Sequence, residues 1–188
     1  MHENRILIHK LKNFENINSN FLIITLMLFG SILLAISAKV QVPFWPVPMT
    51  MQTFVIFLIG MTYSVRLSFA TVAFYLFQGA IGLPVFAAGG GVAYLVGPTA
   101  GYLYGMLFAS IVISYLANLG FSKTYFKATV SLLIGSAIIF SFGIIYLGYI
   151  IGFEKAVAAG LLPFIPSELF KILLAVALIP TLHKIITK

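Results

Sequence analysis

The chain alternates long apolar blocks with short interruptions, and the blocks lack the two-residue alternation of half-buried strands. After a polar, basic stretch over 1–20, apolar runs occupy 21–38, about 49–64, 67–81, 97–119, 128–152 and 167–186. Crossing about 30 Å of hydrocarbon takes roughly 20 such residues, so the length accommodates about six spans and no separate soluble domain. The pattern predicts an all-α membrane protein, a compact bundle of six transmembrane helices over 21–188, with 1–20 as a cytoplasmic N-terminal tail. The first block has the small-x-small spacing of a cleavage site at Ala35 and Ser37, but the polar stretch before it is long for a secretory signal, and an uncleaved helix is the reading taken.

The breaks carry more information than the blocks. Residues 82–102 interrupt the hydrocarbon pattern without a single charge, and Gly89, Gly90 and Gly91 expose backbone groups that need partners. Irregular backbone at membrane depth is tolerated only where it is buried in protein or lines a cavity. This segment is therefore expected to wall or cover a ligand pocket. Residues 39–48 form an extended, proline-stiffened loop with the chain's one tryptophan, Trp45, and 153–165 form a third loop. Pro43-Phe44-Trp45-Pro46 and Pro163-Phe164-Ile165-Pro166 each precede a helix, which suggests two similar aromatic turns facing one vestibule. The second and third blocks are short for a full crossing, so their recessed ends should leave a cavity. Pro98 suits the first position of the fourth helix, and Gly97, Gly101, Gly105 and Ala109 form a small-residue stripe read as helix packing. Ser31 and Ala35 form a smaller pair of the same kind, a weak candidate for a docking face.

Composition agrees: of 188 residues 61% are hydrophobic and 8% charged, and the mean hydropathy is +1.11. The net charge of +7 is explained by topology and not by nucleic acid. With the N-terminus inside, Arg5, Lys10, Lys12, Arg66, Lys123, Lys127, Lys184 and Lys188 are cytoplasmic, while Lys39 and Lys155 are outside. That bias puts both termini in the cytoplasm and all three unusual loops on the outer face of the cell membrane. Cysteine is absent and His2, His9 and His183 lie in the polar ends, so metal ligation, thiol chemistry and an imidazole relay inside the bundle have no material. Neither a phosphate-binding loop nor a catalytic triad can be assembled, and no enzyme activity is expected.

Two ionisable residues stand inside an apolar block. Glu168 and Lys171 lie three apart and share a helix face. A lysine at mid-depth costs roughly 2.5–3.5 kcal/mol on insertion scales, which usually reflects a role. Either the two simply pair near the interface with Lys171 snorkelling, or Glu168 accepts ligand N–H groups while Lys171 neutralises a carboxylate or keeps Glu168 ionised. Gln52 and Gln78 offer amides suited to a ligand with an amide or urea edge, or to an interhelical hydrogen bond. Phe86, with Trp45, Tyr75, Tyr94, Tyr102 and Tyr146, could stack on an apolar ring or simply pack.

Several ordered phrases are specific: Pro46-Val47-Pro48-Met49-Thr50-Met51-Gln52-Thr53, Tyr75-Leu76, Gly79, Gly82-Leu83-Pro84-Val85-Phe86, Gly97-Pro98-Thr99-Ala100-Gly101-Tyr102-Leu103, and Pro163-Phe164-x-Pro166 followed by an acid and Lys171. From about residue 39 to the end the chain resembles the BioY family, the biotin-binding substrate components of energy-coupling factor (ECF) transporters. The resemblance implies six helices, high-affinity capture of biotin from the outer face without a cofactor, and docking onto a transmembrane coupling protein driven by two cytoplasmic ATPases. It also places Glu168 and Lys171 at the family's acid and lysine, and 86–91 at its pocket-covering loop. The ligand set it completes is Gln52, Gln78, Phe86, Gly89, Gly90, Gly91, Glu168 and Lys171. Where the family has Gly-Asp, this chain has Ser167-Glu168, so a longer acid must retract or tilt to keep the same contact. Ser64 and Ser68 replace glycines often found near the second-to-third turn. A substrate component for another small vitamin, or a membrane subunit without a ligand, are the alternatives, and a homo-oligomer is left open.

Overall fold

The computed structural model describes residues 19–186, with side chains over 20–181, so the basic tail expected over 1–20 falls almost wholly outside the described residues, as do the side chains of Lys184 and Lys188. The chain enters as α1 (Ser19–Lys39), whose Phe21, Ile24, Leu28, Ile32 and Ile36 are exposed on one side. A helix that shows its large apolar residues outward has hydrocarbon as its solvent. The buried side combines Leu34 with the small residues Gly30, Ser31, Ser37 and Ala38, and a Cβ on Gly30 would come within 2.7 Å of the Thr71 methyl.

A two-stranded hairpin follows, β1 (Gln41–Val42) paired antiparallel with β2 (Met49–Thr50), Gln41 opposite Thr50. The prolines hold 39–48 extended as expected, but the second helix does not begin at Met49. Met49 and Thr50 are in the strand, and Met51 N–H donates to the carbonyls of Ser37 and Val40, which closes the hairpin onto the end of α1. Helix α2 (Gln52–Thr62) is therefore only 11 residues long, about 16 Å at 1.5 Å per residue. Helix α3 (Val65–Ala80) starts at Ser64, whose side chain accepts from Leu67 N–H.

The uncharged segment contains a single helical turn, α4 (Val92–Leu95), and α5 (Ala100–Asn118) begins two residues later than Pro98 because Thr99 supplies the first acceptor, to Leu103 N–H. Helix α6 (Tyr125–Ile151) is reached through a 3-10 turn at Phe121–Lys123. What the sequence reads as a loop over 153–165 is a short helix, α7 (Phe153–Gly160), and a 3-10 turn at Leu162–Phe164, leading into α8 (Ile165–Ile186).

Helices α2 and α5 form the centre: α5 packs on α2, α3 and α6, and α2 also meets α1 and α8. The small-residue stripe makes the α5–α6 seam. A Cβ on Gly101 would lie 2.5 Å from the Phe142 carbonyl oxygen, and one on Gly105 would lie 2.8 Å from the Ile139 Cα, so the two backbones meet almost directly. Among the described residues, four segments are long and apolar enough to cross a membrane: Asn20–Lys39, Ala100–Asn118, Tyr125–Ile151 and Phe153–Thr181. Helices α2 and α3 are shorter than that.

Candidate functional site

The three connections converge at one end of the bundle. Lys39 and Gln41, beside the hairpin, donate to carbonyls at 86–87; Phe44 stands edge-on to Phe164 with ring centroids 6.1 Å apart; and Tyr102 Oη donates to the Gly160 carbonyl at 2.9 Å. Between them lies a cavity whose lining includes Gln52, Thr53, Tyr94, Tyr102, Glu168 and Lys171.

Its polar wall stands on helices. Glu168, in the first turn of α8, is 4% exposed and Lys171 is 3% exposed, which excludes snorkelling. Lys171 Nζ donates to Glu168 Oε2 at 3.2 Å and to Thr53 Oγ1 at 3.1 Å, and Thr53 Oγ1 itself donates to Glu168 Oε2 at 2.8 Å. The other carboxylate oxygen, Oε1, accepts from Ser136 of α6 at 3.2 Å. Two other helices, α2 and α6, thus supply partners to one buried ion pair on α8. An ion pair out of water persists only when hydrogen bonds satisfy what the pairing leaves over, and these hydroxyls do so. Lys171 has three donors and two are used here.

Beside this wall, Gln52 begins α2. Its Nε2 donates to Tyr75 Oη at 2.7 Å and its Oε1 accepts from Thr50 Oγ1 at 3.0 Å; Tyr75 Oη in turn donates to the Val85 carbonyl at 3.0 Å. The apolar wall is aromatic. Tyr102 stacks on Phe164 with centroids 6.4 Å apart and meets Phe140 edge-on at 6.0 Å. Glycines on two elements make the slot for its ring, since a Cβ on Gly143 or Gly160 would come within 2.3 or 2.4 Å of Tyr102 atoms.

The loop covers the cavity through Ala87 and Tyr94. Phe86 itself is fully buried behind them, stacked on Tyr94 at 4.9 Å and edge-on to Tyr75 at 5.4 Å, against the spot where Gly79 lacks a side chain. Two glycines of the triplet find backbone partners, one inside the loop and one at the end of α3. Gly89 exchanges backbone hydrogen bonds with Phe86, and Gly91 N–H donates to the Gly79 carbonyl at 2.7 Å. Gly89 and Gly91 have φ of +137° and +98°, which L side chains rarely adopt, and Gly90 passes so close to the Leu83 carbonyl that a Cβ would lie 2.1 Å from its oxygen.

The structure therefore brings Gln52, Glu168 and Lys171 together on the cavity and sets Phe86 and Gly89–Gly91 behind its lining, as the frame of the covering loop. Gln78 lies elsewhere. Its Oε1 accepts from Ser31, so the amide bridges α3 to α1 in a separate groove that reaches Leu83–Val85 of the loop. That bond also turns Ser31 inward, away from any docking face. Thr53, Ser136, Phe140 and Phe164 are cavity or network residues that the sequence does not single out. Phe164 alone had a signal, in the repeated Pro-Phe-x-Pro phrase.

Sequence comparison places this architecture. The model of the BioY family matches residues 11–188. The chain belongs to the BioY family. Among its relatives are the "Probable biotin transporter BioY" of Rickettsia prowazekii (strain Madrid E), 37% identical over 158 residues covering 84% of this chain and 81% of that protein, and the "Biotin transporter BioY" of Thermotoga maritima, 36% identical with 81% and 90% covered. A crystal structure of the S-component for biotin from an ECF-type ABC transporter superposes with a TM-score of 0.78 at 25% identity, over 90% of this BioY member and 95% of that chain.

Proposed function

We propose that this chain captures biotin at the outer face of the cytoplasmic membrane, as the substrate-binding component of an ECF-type transporter and not as an enzyme. The observation that carries the proposal is the buried Glu168–Lys171 pair, held by Thr53 and Ser136 beside Gln52 and an aromatic wall, in a chain matched by the BioY family along nearly its whole length. Biotin has a urea edge with two N–H donors and one carbonyl, an apolar ring and a carboxylated tail. Glu168 accepts from the urea N–H groups, with Lys171 paired to it; Gln52 completes the polar end; and Tyr102, Phe140 and Phe164 pack the ring. No cofactor enters this scheme.

In this reading residues 21–188 form one six-span domain with both termini cytoplasmic, as the eight-to-two distribution of basic residues supports. Helices α2 and α3 then cross with their outer ends recessed. The chain carries no nucleotide-binding residues, so uptake depends on a transmembrane coupling protein and two ATPase subunits. Calorimetric titration of the purified protein with biotin tests the proposal: saturable heat is expected, and no saturable heat at micromolar ligand ends it. Competition by a different vitamin, with biotin inert, would assign the same architecture to another substrate.

A further inference from the structure

The covering loop is held by side-chain donors that the binding scheme leaves idle. Three consecutive carbonyls are taken by side chains of other elements: Val85 O by Tyr75 Oη at 3.0 Å, Phe86 O by Lys39 Nζ at 2.6 Å, and Ala87 O by Gln41 Nε2 at 3.3 Å, with Lys39 Nζ a further 3.5 Å from Ala87 O. Lys39 is the last residue of α1, so one ammonium ties the end of that helix to Phe86, the neighbour of the loop residue that faces the cavity. At 2.6 Å the bond to Phe86 is the shortest of these four contacts.

The consequence depends on where these bonds lie. Ala87 is 7% exposed and lines the cavity, whereas Lys39 is exposed on the outer side of the same backbone. A cation bonded to neutral carbonyls, within reach of water, is held firmly yet exchanges without leaving a buried charge behind. That suits a contact made and broken once per binding cycle. It differs from the Glu168–Lys171 pair, which is enclosed and has no such exit.

We propose that Lys39 is a positioning residue that holds the 82–97 loop closed over the cavity and so sets how slowly a bound ligand leaves. This rests on the biotin-binding reading for its ligand but not for its loop. Lys39→Met keeps the apolar stem and removes the donors. The dissociation rate of biotin, measured by chase with excess unlabelled biotin, is expected to rise about tenfold, the worth of one charge-assisted hydrogen bond, with the association rate changed by less than about twofold. Gln41→Met, which removes the longer contact, should move the same rate by a smaller factor. Lys155→Met, which removes the other outer basic residue, should leave both rates unchanged.

A second arm needs no ligand. The chain has no cysteine, so Ala87→Cys carries the only thiol, and its rate of modification by a soluble maleimide in the ligand-free protein reports loop opening. Adding Lys39→Met should raise that rate about tenfold, in keeping with the same lost bond. An unchanged modification rate overturns the proposal whatever the protein binds. A slower, salt-dependent association with unchanged dissociation also overturns it, since Lys39 would then attract an anion and not hold a loop. Faster modification in a protein that ignores biotin would keep the latch and remove only the assigned ligand. If Lys39→Met does not fold, Gln41→Met decides by the same two readouts.

Discussion

The two walls of the cavity solve the same problem with different materials. The helical wall puts a full ion pair out of water and surrounds it with hydroxyls from α2 and α6, so that both oxygens of Glu168 have partners. The loop wall puts no charge inside, only Ala87 and Tyr94, and its carbonyls at 85–87 are taken by side-chain donors from Tyr75, Lys39 and Gln41. The first is fixed by rigid elements packed in the core, and the second by a handful of hydrogen bonds at its edge. Damage to the helical wall should therefore cost stability and binding together. Damage to the loop should cost binding alone, because the loop opens locally without unfolding the bundle.

Lys171→Met should show the largest effect. It strands Glu168 as a buried, unpaired carboxylate, which costs about 3–5 kcal/mol, and both the melting temperature in detergent and the calorimetric affinity for biotin should fall. Gly90→Ala comes next and separates the walls. Its Cβ would strike the Leu83 carbonyl 2.1 Å away, so the loop must shift; affinity should fall by roughly 1–3 kcal/mol, within the range of most single-residue effects, while the melting temperature stays near that of the parent. A matching loss of stability would show that the loop is part of the core after all.

Tyr75→Phe probes the junction of the walls, because its hydroxyl accepts from Gln52 and donates to Val85. Leaving those groups unsatisfied should cost about 1–3 kcal/mol of binding. Combined with Glu168→Gln, it should act additively within about 0.5 kcal/mol if the walls are independent, and a larger coupling energy in the double-mutant cycle would show a single network. The smallest effect is expected from Trp45→Ala. The side chain is 82% exposed, so stability should change by less than about 0.5 kcal/mol and affinity should hold.

The same contrast explains what could be seen in the sequence. Long apolar blocks set the first and fifth helices closely, 21–38 against Ser19–Lys39 and 128–152 against Tyr125–Ile151, because span length follows from bilayer thickness. The proline-rich stretch misled. Strand pairing between Gln41 and Thr50 is a non-local event that no local propensity reveals, and it took two residues from the expected start of α2. The short helix α7 was missed for the opposite reason: Glu154, Lys155 and the alanines after them favour helix, but the neighbouring glycine and prolines drew attention to turns. Glu168 and Lys171 stood out because charge is rare in hydrocarbon. Thr53 and Ser136 did not, since hydroxyls in membrane helices commonly bond their own backbone, and nothing in the one-dimensional pattern separates them from Thr71, which does. The glycine triplet announced unusual backbone correctly but could not say what the backbone would touch. Gln78 shows the same limit, a half-buried amide whose partner, Ser31, lies 47 residues away.

Trp45 has a practical consequence. It is the chain's single indole, exposed at the rim, and its neighbour Phe44 leans on Phe164 of the cavity wall. The ultraviolet emission of the unlabelled protein is thus dominated by one fluorophore outside the cavity. A blue shift on adding a non-absorbing compound would signal that the rim had folded inward.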